Sequence, residues 1–248
     1  MHNLTAMEGI EEVALTTNGI LLPKLALSLQ QAGLQRVNIS VDTLKPARYQ
    51  AITRLGSLQD VWQGIKIALA QGFHPVKLNV VMMRGFNDDE IMDFVQLGLR
   101  FPVHVRFIEL MPIGVSASWA LEQYMSVAEI KKRIEDTMGK LQKVENFTGG
   151  GPAYYYRIAG SQGNIGFISP ISNHFCSQCN RLRLTAEGKL RTCLYNEREI
   201  DLKTPLRNHA TNQELRDLIC QGIQEKPTGH CLDTAWGQGD RMMSQIGG

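Results

Sequence analysis

The chain of 248 residues has no cysteine before Cys176, and three of its five cysteines fall between Cys176 and Cys193. A secreted disulfide framework needs an even count spread more widely, so that class is excluded. An excess of one charge is also lacking: Lys plus Arg number 26 and Asp plus Glu 24, for a net charge of +2. The chain as a whole is therefore no polyanion binder, and any basic site is local. Long hydrophobic runs are missing as well. Stretches such as Val80–Met83 fall far short of the roughly 20 apolar residues that span a bilayer. Met1–Glu12 has three Glu and no Lys or Arg, unlike a signal or transit peptide. The expectation is a soluble protein in a reducing compartment, with no membrane association. What is present is ordinary globular composition, 43% hydrophobic and 20% charged, in a chain long enough to bury a core.

The first part of the chain alternates between two hydrophobic periods. Val13–Thr16 reads as a strand closed by the turn Thr17-Asn18-Gly19, and Pro23–Ala32 as a helix stopped at Gly33. Strand patterns recur at Arg36–Val41, Val76–Met83 and Val103–Leu110. Helical patterns begin at Pro46, Ser57, Asp88 and Ser126, the last with Glu129 placed for a capping box. Four β-then-α units in series predict parallel strands with crossover helices, read here as continuous apolar runs covered on both faces. A full (β/α)₈ barrel needs twice that number. Near Gly149-Gly150-Gly151-Pro152 the pattern changes to short strands at 154–158, 165–169, 181–185 and 190–195, with a last helix over 212–224. These features divide the chain into residues 1–148, a β/α domain, and 149–248, a mixed, β-rich domain.

The cysteines stand as Cys176-x-x-Cys179 with Cys193 thirteen residues beyond. A Cys-x-x-Cys turn brings two thiolates together, and a strand that turns and returns brings back a third. Three neighbouring thiolates repel unless a cation holds them, which points to metal. Zinc would need a fourth ligand from His174, Cys220 or Cys231; a [4Fe–4S] cluster held by three cysteines would keep one iron open. The competing reading is three buried cysteines with no metal, and Cys220 fits the apolar pattern of the last helix.

Arg181 and Arg183 are two apart on an expected strand, so both would face one side as a clamp for phosphate or carboxylate, or else lie on a solvated face. Lys77 and Arg106 lie inside otherwise apolar strands, where a charge implies either a ligand or a salt bridge, with Glu109 or Asp42 as partner. Thr16 and Ser40 end or interrupt strands, where ligand-facing loops start, although turn capping explains Thr16 equally. Tyr154–Tyr156 read as core and sheet surface.

The strings Leu15-Thr16-Thr17-Asn18-Gly19, Asn38-Ile39-Ser40-Val41-Asp42-Thr43-Leu44, Val76-Lys77-Leu78-Asn79-Val80-Val81 and Arg106-Phe107-Ile108-Glu109, with the 176–193 segment and the terminal Gly247-Gly248, closely resemble the GTP 3′,8-cyclases of molybdenum-cofactor biosynthesis, a radical S-adenosylmethionine (SAM) family. The resemblance covers essentially the whole chain. It implies an α/β fold: an incomplete (β/α) barrel of the radical SAM type with a C-terminal α+β domain. It further implies a [4Fe–4S] cluster on Cys176, Cys179 and Cys193, GTP contacts by Thr16, Lys77, Arg181, Leu182 and Arg183, and SAM contacts by Ser40 and Met111. Arg106 would be a further pocket residue, and Gly247 and Gly248 the tail that reaches the active site, where small residues suit close backbone approach. The family converts GTP by radical chemistry to a 3′,8-cyclo dihydroguanosine triphosphate. Implied partners are GTP, the cyclic pyranopterin monophosphate synthase that acts next, and possible pairing with a second copy as a homodimer. The implied compartment is the bacterial cytoplasm or the mitochondrial matrix.

One departure is large. The family's Cys-x-x-x-Cys-x-x-Cys loop, which holds the radical-generating [4Fe–4S] cluster, is not in these residues, and the first two barrel units are missing with it. The chain therefore reads as an N-terminally truncated cyclase, expected to be inactive alone. The alternatives are a non-catalytic GTP-binding iron–sulfur protein and, weaker at a net charge of +2, a zinc-bound nucleic-acid module. The Val13–Thr16 strand would lack a neighbour, an aggregation liability that predicts poor solubility or oligomers.

Overall fold

The computed structural model describes residues 1–113, 117–145, 151–229, 241 and 245–246. They form two units, residues 1–110 with 124–172, and residues 111–123 with 173–248. In chain order the elements are α1 (His2–Thr5), β1 (Ala14–Thr17), α2 (Leu22–Gln31), β2 (Arg36–Ser40), α3 (Pro46–Thr53), α4 (Leu58–Ala70), β3 (Val76–Met82), α5 (Ile91–Arg100), β4 (Val103–Glu109), α6 (Ala117–Glu122) and α7 (Val127–Met138). There follow β5 (Gln142–Lys143), β6 (Tyr154–Arg157), β7 (Ile165–Ile168), β8 (Arg183–Leu184), β9 (Lys189–Arg191), β10 (Glu199–Asp201), α8 (Lys203–Arg207) and α9 (Asn212–Gln224).

The first unit is built on one sheet with strand order β1-β2-β3-β4-β7-β6-β5. β1 to β4 and β7 run parallel; β6 and β5 are added antiparallel. This is the α/β class with a parallel-dominated sheet. Residues 154–168, which the sequence pattern assigns to the second domain, instead extend this sheet, because β7 pairs with β4 from Val105 to Ile108. The strand period explains the layering. One face carries Val37, Ile39, Val76, Leu78, Val80, Val103, Val105 and Phe107, all buried in the core with Leu22, Val61, Phe94 and Ile134 of the helices. β3 and β4 are buried on both faces, as apolar runs predict, but β2 alternates between half-buried and buried residues until the exposed Ser40 at its end. Arg36, Asn38 and Ser40 occupy its other face. Among the described residues β1 ends the sheet and pairs with β2 alone, the edge position expected of it.

Polar side chains fasten the loops that follow β2 and β3. Buried Asn87 donates to the carbonyls of Asp42 at 2.6 Å and Val81 at 2.9 Å, and accepts the Met83 N–H at 2.8 Å. Glu90, also buried, accepts from the Thr43 hydroxyl at 2.7 Å, the Leu44 N–H at 2.6 Å and Arg48 at 2.7 Å. The expected helix at Asp88 opens as a 3₁₀ turn, Asp88–Glu90, before α5. The capping box expected at Ser126 is half made. The Ser126 hydroxyl accepts the Glu129 N–H at 3.2 Å, while the Glu129 carboxylate goes to Arg84 and Arg133. The reciprocal box is at Thr211 and Glu214, which open α9.

The second unit holds α6, the antiparallel sheet β10-β9-β8, α8 and α9. Gly188, at φ +81°, makes the turn between β8 and β9. Among the described residues no helix is long and apolar enough to cross a membrane.

Gly64 sets how closely α4 approaches the turn after β1: a Cβ there would lie 2.2 Å from the Gly19 carbonyl oxygen. Gly64→Ala is expected to push α4 off the sheet and cost about 1–3 kcal/mol. Urea unfolding checks this; the midpoint falls with an unchanged slope.

Candidate functional site

Parallel register lines up polar residues of the first unit on the sheet face opposite the core. Thr16, Asn38, Lys77 and His104 stand side by side across β1, β2, β3 and β4, and Asn79 and Arg106 form the next row toward the strand ends. Asn38 links the rows. Its amide donates to the Thr16 hydroxyl at 3.1 Å, and its carbonyl oxygen accepts from Arg106 Nη2 at 2.9 Å. Arg106 Nε donates to Asn79 Oδ1 at 2.7 Å. The guanidinium is thus held by two amide oxygens. The carboxylates considered as its partners are used elsewhere. Glu109 accepts the backbone N–H groups of Val127, Ile171 and Ser172, each within 2.9 Å, and Asp42 accepts the Val81 N–H at 2.8 Å. Burial raises the Asp42 carboxyl to about 6, against the opposing pull of the Val81 N–H.

Lys77 is 2% exposed, with its ammonium 5.7 Å from the centre of the Tyr155 ring. Burial, then Arg106 and Arg36, push its pKa down to about 8. His104 beside it is pushed down to about 4, by burial first and then by Lys77 and other nearby cationic groups. Its Nδ1 accepts the Asn164 N–H at 2.9 Å, so the neutral ring keeps its proton on Nε2. Arg36 shares the Asn38 face one row below. Its Nη2 pairs with Glu12 at 2.9 Å, but Nε and Nη1 are buried with no hydrogen-bond partner. Lys77, Arg106 and Arg36 thus bring three cationic side chains to one side of the sheet, and Arg36 adds two buried donors without an acceptor, an arrangement suited to an anion.

Thr16, Lys77 and Arg106, singled out in the sequence, are therefore brought together. Arg36, Asn38, Asn79, His104 and Tyr155 were missed. The period-two spacing of Arg36, Asn38 and Ser40 and of Lys77 and Asn79 was the signal that could have found the strand residues. Tyr155, read as core or sheet surface, sits on the cationic face because β6 joins this sheet. Ser40 is exposed at the end of β2, and Met111 is half-buried at the start of the second unit.

The second unit gathers the cysteine segment. Cys176 opens a 3₁₀ turn, Cys179 caps it, and Cys193 follows β9; all three are half-buried and free of disulfides. Arg181 precedes β8, which starts only at Arg183, so the two guanidiniums are not paired by strand alternation. Arg181 instead lies over the Phe175 ring, 5.2 Å from its centre, with Nη1 4.0 Å from Cys179 Sγ. Leu182 is exposed. Burial acts to raise the Cys179 thiol, but hydrogen bonds from the Arg181 backbone N–H and the Lys226 ammonium, with their charges, bring it below its ordinary value. Arg183 is lowered by burial and held up by the nearby Cys193 and Cys179 sulfurs.

Among the described residues no three His, Cys, Asp or Glu side chains converge as they would on one metal ion. A cubane cluster spreads its thiolates farther apart than a single ion does, and three thiolates give it a net negative charge. Thiolate-favouring surroundings with Arg181, Arg183 and Lys226 fit that donor set. His174 is exposed. Cys220, expected in the core, is exposed on α9, because the buried side of that helix is carried by residues such as Gly222. Cys231, Gly247 and Gly248 lie outside the described residues.

Residues 2–98 match the family model of the radical SAM superfamily, and residues 103–232 match that of Molybdenum Cofactor Synthesis C. The chain is similar to the GTP 3′,8-cyclase of Heliobacterium modesticaldum, 55% identical over 98% of this chain and 74% of that protein. It is likewise similar to the cyclase of Moorella thermoacetica, 54% identical over 100% of this chain and 76% of the relative, and to that of Pelotomaculum thermopropionicum, 51% identical over the same shares. The chain thus spans about three quarters of the length of these relatives, and it belongs to the GTP 3′,8-cyclase family.

Proposed function

We propose that this chain carries the GTP-binding and second-cluster residues of a GTP 3′,8-cyclase acting in molybdenum-cofactor biosynthesis. The observation that carries the reading is the cationic face of the first unit. Lys77, Arg106 and Arg36 crowd positive charge where Arg36 keeps two buried guanidinium nitrogens without an acceptor. Phosphate oxygens are the acceptors that such a set is built for. Thr16 and Lys77 would contact the nucleotide, with Asn38 and Asn79 holding Arg106 in place. Arg181, Leu182 and Arg183 are offered as further nucleotide contacts, and Ser40 and Met111 as contacts for SAM. In this reading the sheet is part of a radical SAM barrel, and Gly247 and Gly248 supply the tail. The synthase acting next and a second copy of the chain are the proposed partners.

Cys176, Cys179 and Cys193 would hold a [4Fe–4S] cluster in the second unit. When bound, such a cluster supplies an iron with an open position for a nitrogen or oxygen ligand. The ligands for the radical-generating cluster do not fit these residues, since residues 1–175 contain no cysteine. No SAM-cleaving step is therefore assigned to them. A second reading is that these residues bind GTP without converting it.

Calorimetric titration of GTP into the anaerobically prepared chain tests both. Binding is expected, and Lys77→Ala should weaken it by about tenfold or more, the loss of one charged hydrogen-bond partner. The Lys77 ammonium is charged below about pH 8 and loses its proton above it, so affinity should fall as pH rises through that value and beyond. Lys77→Arg should flatten the dependence. Chemical analysis after reconstitution with iron and sulfide should give about four of each per chain. Cys193→Ser should reduce that content sharply; zinc in place of iron would favour the zinc-bound module instead.

A further inference from the structure

The three protons of the Lys226 ammonium all serve one short segment. Nζ donates to the Cys179 carbonyl at 2.7 Å, to the Arg181 carbonyl at 2.8 Å and to Cys179 Sγ at 3.4 Å. An ammonium has three donors and no more. Holding a lysine still costs about 1.5–2 kcal/mol of side-chain entropy, so a fixed geometry of this kind needs a return.

Lys226 stands just beyond α9, and α9 is itself fixed. Its N-terminus carries the reciprocal Thr211–Glu214 box. Near its C-terminus Gly222 lies so close to β9 and β10 that a Cβ there would meet Ile200 at 2.5 Å, Thr192 at 3.3 Å and Leu190 at 3.5 Å. Thr192 is the residue before Cys193. One helix end therefore presses on the segment that carries Cys193 and, four residues later, anchors the segment that carries Cys179.

We propose that Lys226 is a positioning residue for the cysteine centre, fixing the Cys179–Arg181 segment and donating an N–H···S hydrogen bond that raises the reduction potential of the cluster that Cys179 helps hold. This rests on the reading of Cys176, Cys179 and Cys193 as [4Fe–4S] ligands. The two carbonyl bonds alone would make Lys226 a mechanical staple. The third bond withdraws negative charge from the sulfur, which favours the more negative, reduced cluster.

The test uses the full chain, reconstituted anaerobically with iron and sulfide, with reductive titration followed by electron paramagnetic resonance and visible absorbance. Lys226→Met should lose its cluster to a chelator about tenfold faster than wild type. Lys226→Gln keeps amide donors for the carbonyls but removes the charge, and guards against a Met variant that does not fold. Both are expected to have lower midpoint potentials, and Lys226→Arg should restore the potential toward wild type. A wild-type potential in the Gln and Met variants overturns the inference and leaves the cluster reading standing. A wild-type chain that takes up no iron overturns both.

Discussion

Arg106 is held by two amide oxygens, from Asn38 and Asn79, on the polar face of a parallel sheet. That choice constrains the first unit. A carboxylate would neutralise the guanidinium; amides orient it and leave its charge in place. Lys77 lies in the neighbouring row at 2% exposure, and its pKa is lowered first by burial and then by the Arg106 charge. Such a face is tolerable only because the opposite face of the same strands is buried in the core by Val37, Leu78, Val80, Val105 and Phe107. The apolar face stabilises the sheet, and the polar face uses that rigidity to hold donors in fixed places.

The carboxylates of the first unit take the complementary part. Glu109 collects three backbone N–H groups, and Glu90 the Thr43 hydroxyl, the Leu44 N–H and Arg48. Both act on loops and helix starts beyond the strands. Acidic groups are thereby spent on the scaffold, while the sheet face keeps a cationic surplus. In the second unit the cations Arg181, Arg183 and Lys226 surround thiols instead, which suits ligands that must lose a proton.

Much of this was legible beforehand. The β/α alternation located β1 to β4 to within a residue or two and their helices to within about three, because apolar periodicity and Gly and Pro punctuation are local signals. Lys77 and Arg106 stood out as charges within apolar strands. The sequence could not say that β6 and β7 return to the first sheet, since strand partners depend on contacts distant in the chain. For the same reason Cys220 passed as buried, and Arg181 and Arg183 as one strand face. The Ser126 signature was half realised because Arg84 and Arg133 compete for the Glu129 carboxylate.

The sequence by itself determined the chemistry: three cysteines at a ligand spacing, two cations within strands, and the absence of any cysteine in residues 1–175. Residue type and spacing are covalent facts, and they limit which ligands a chain can hold. Tertiary structure decided the neighbours. Parallel register placed Asn38 between Thr16 and Arg106, and the close packing of α9 brought Lys226 to Cys179 across 47 residues. Those distances arise only when distant segments bury their apolar faces together, which no local pattern records.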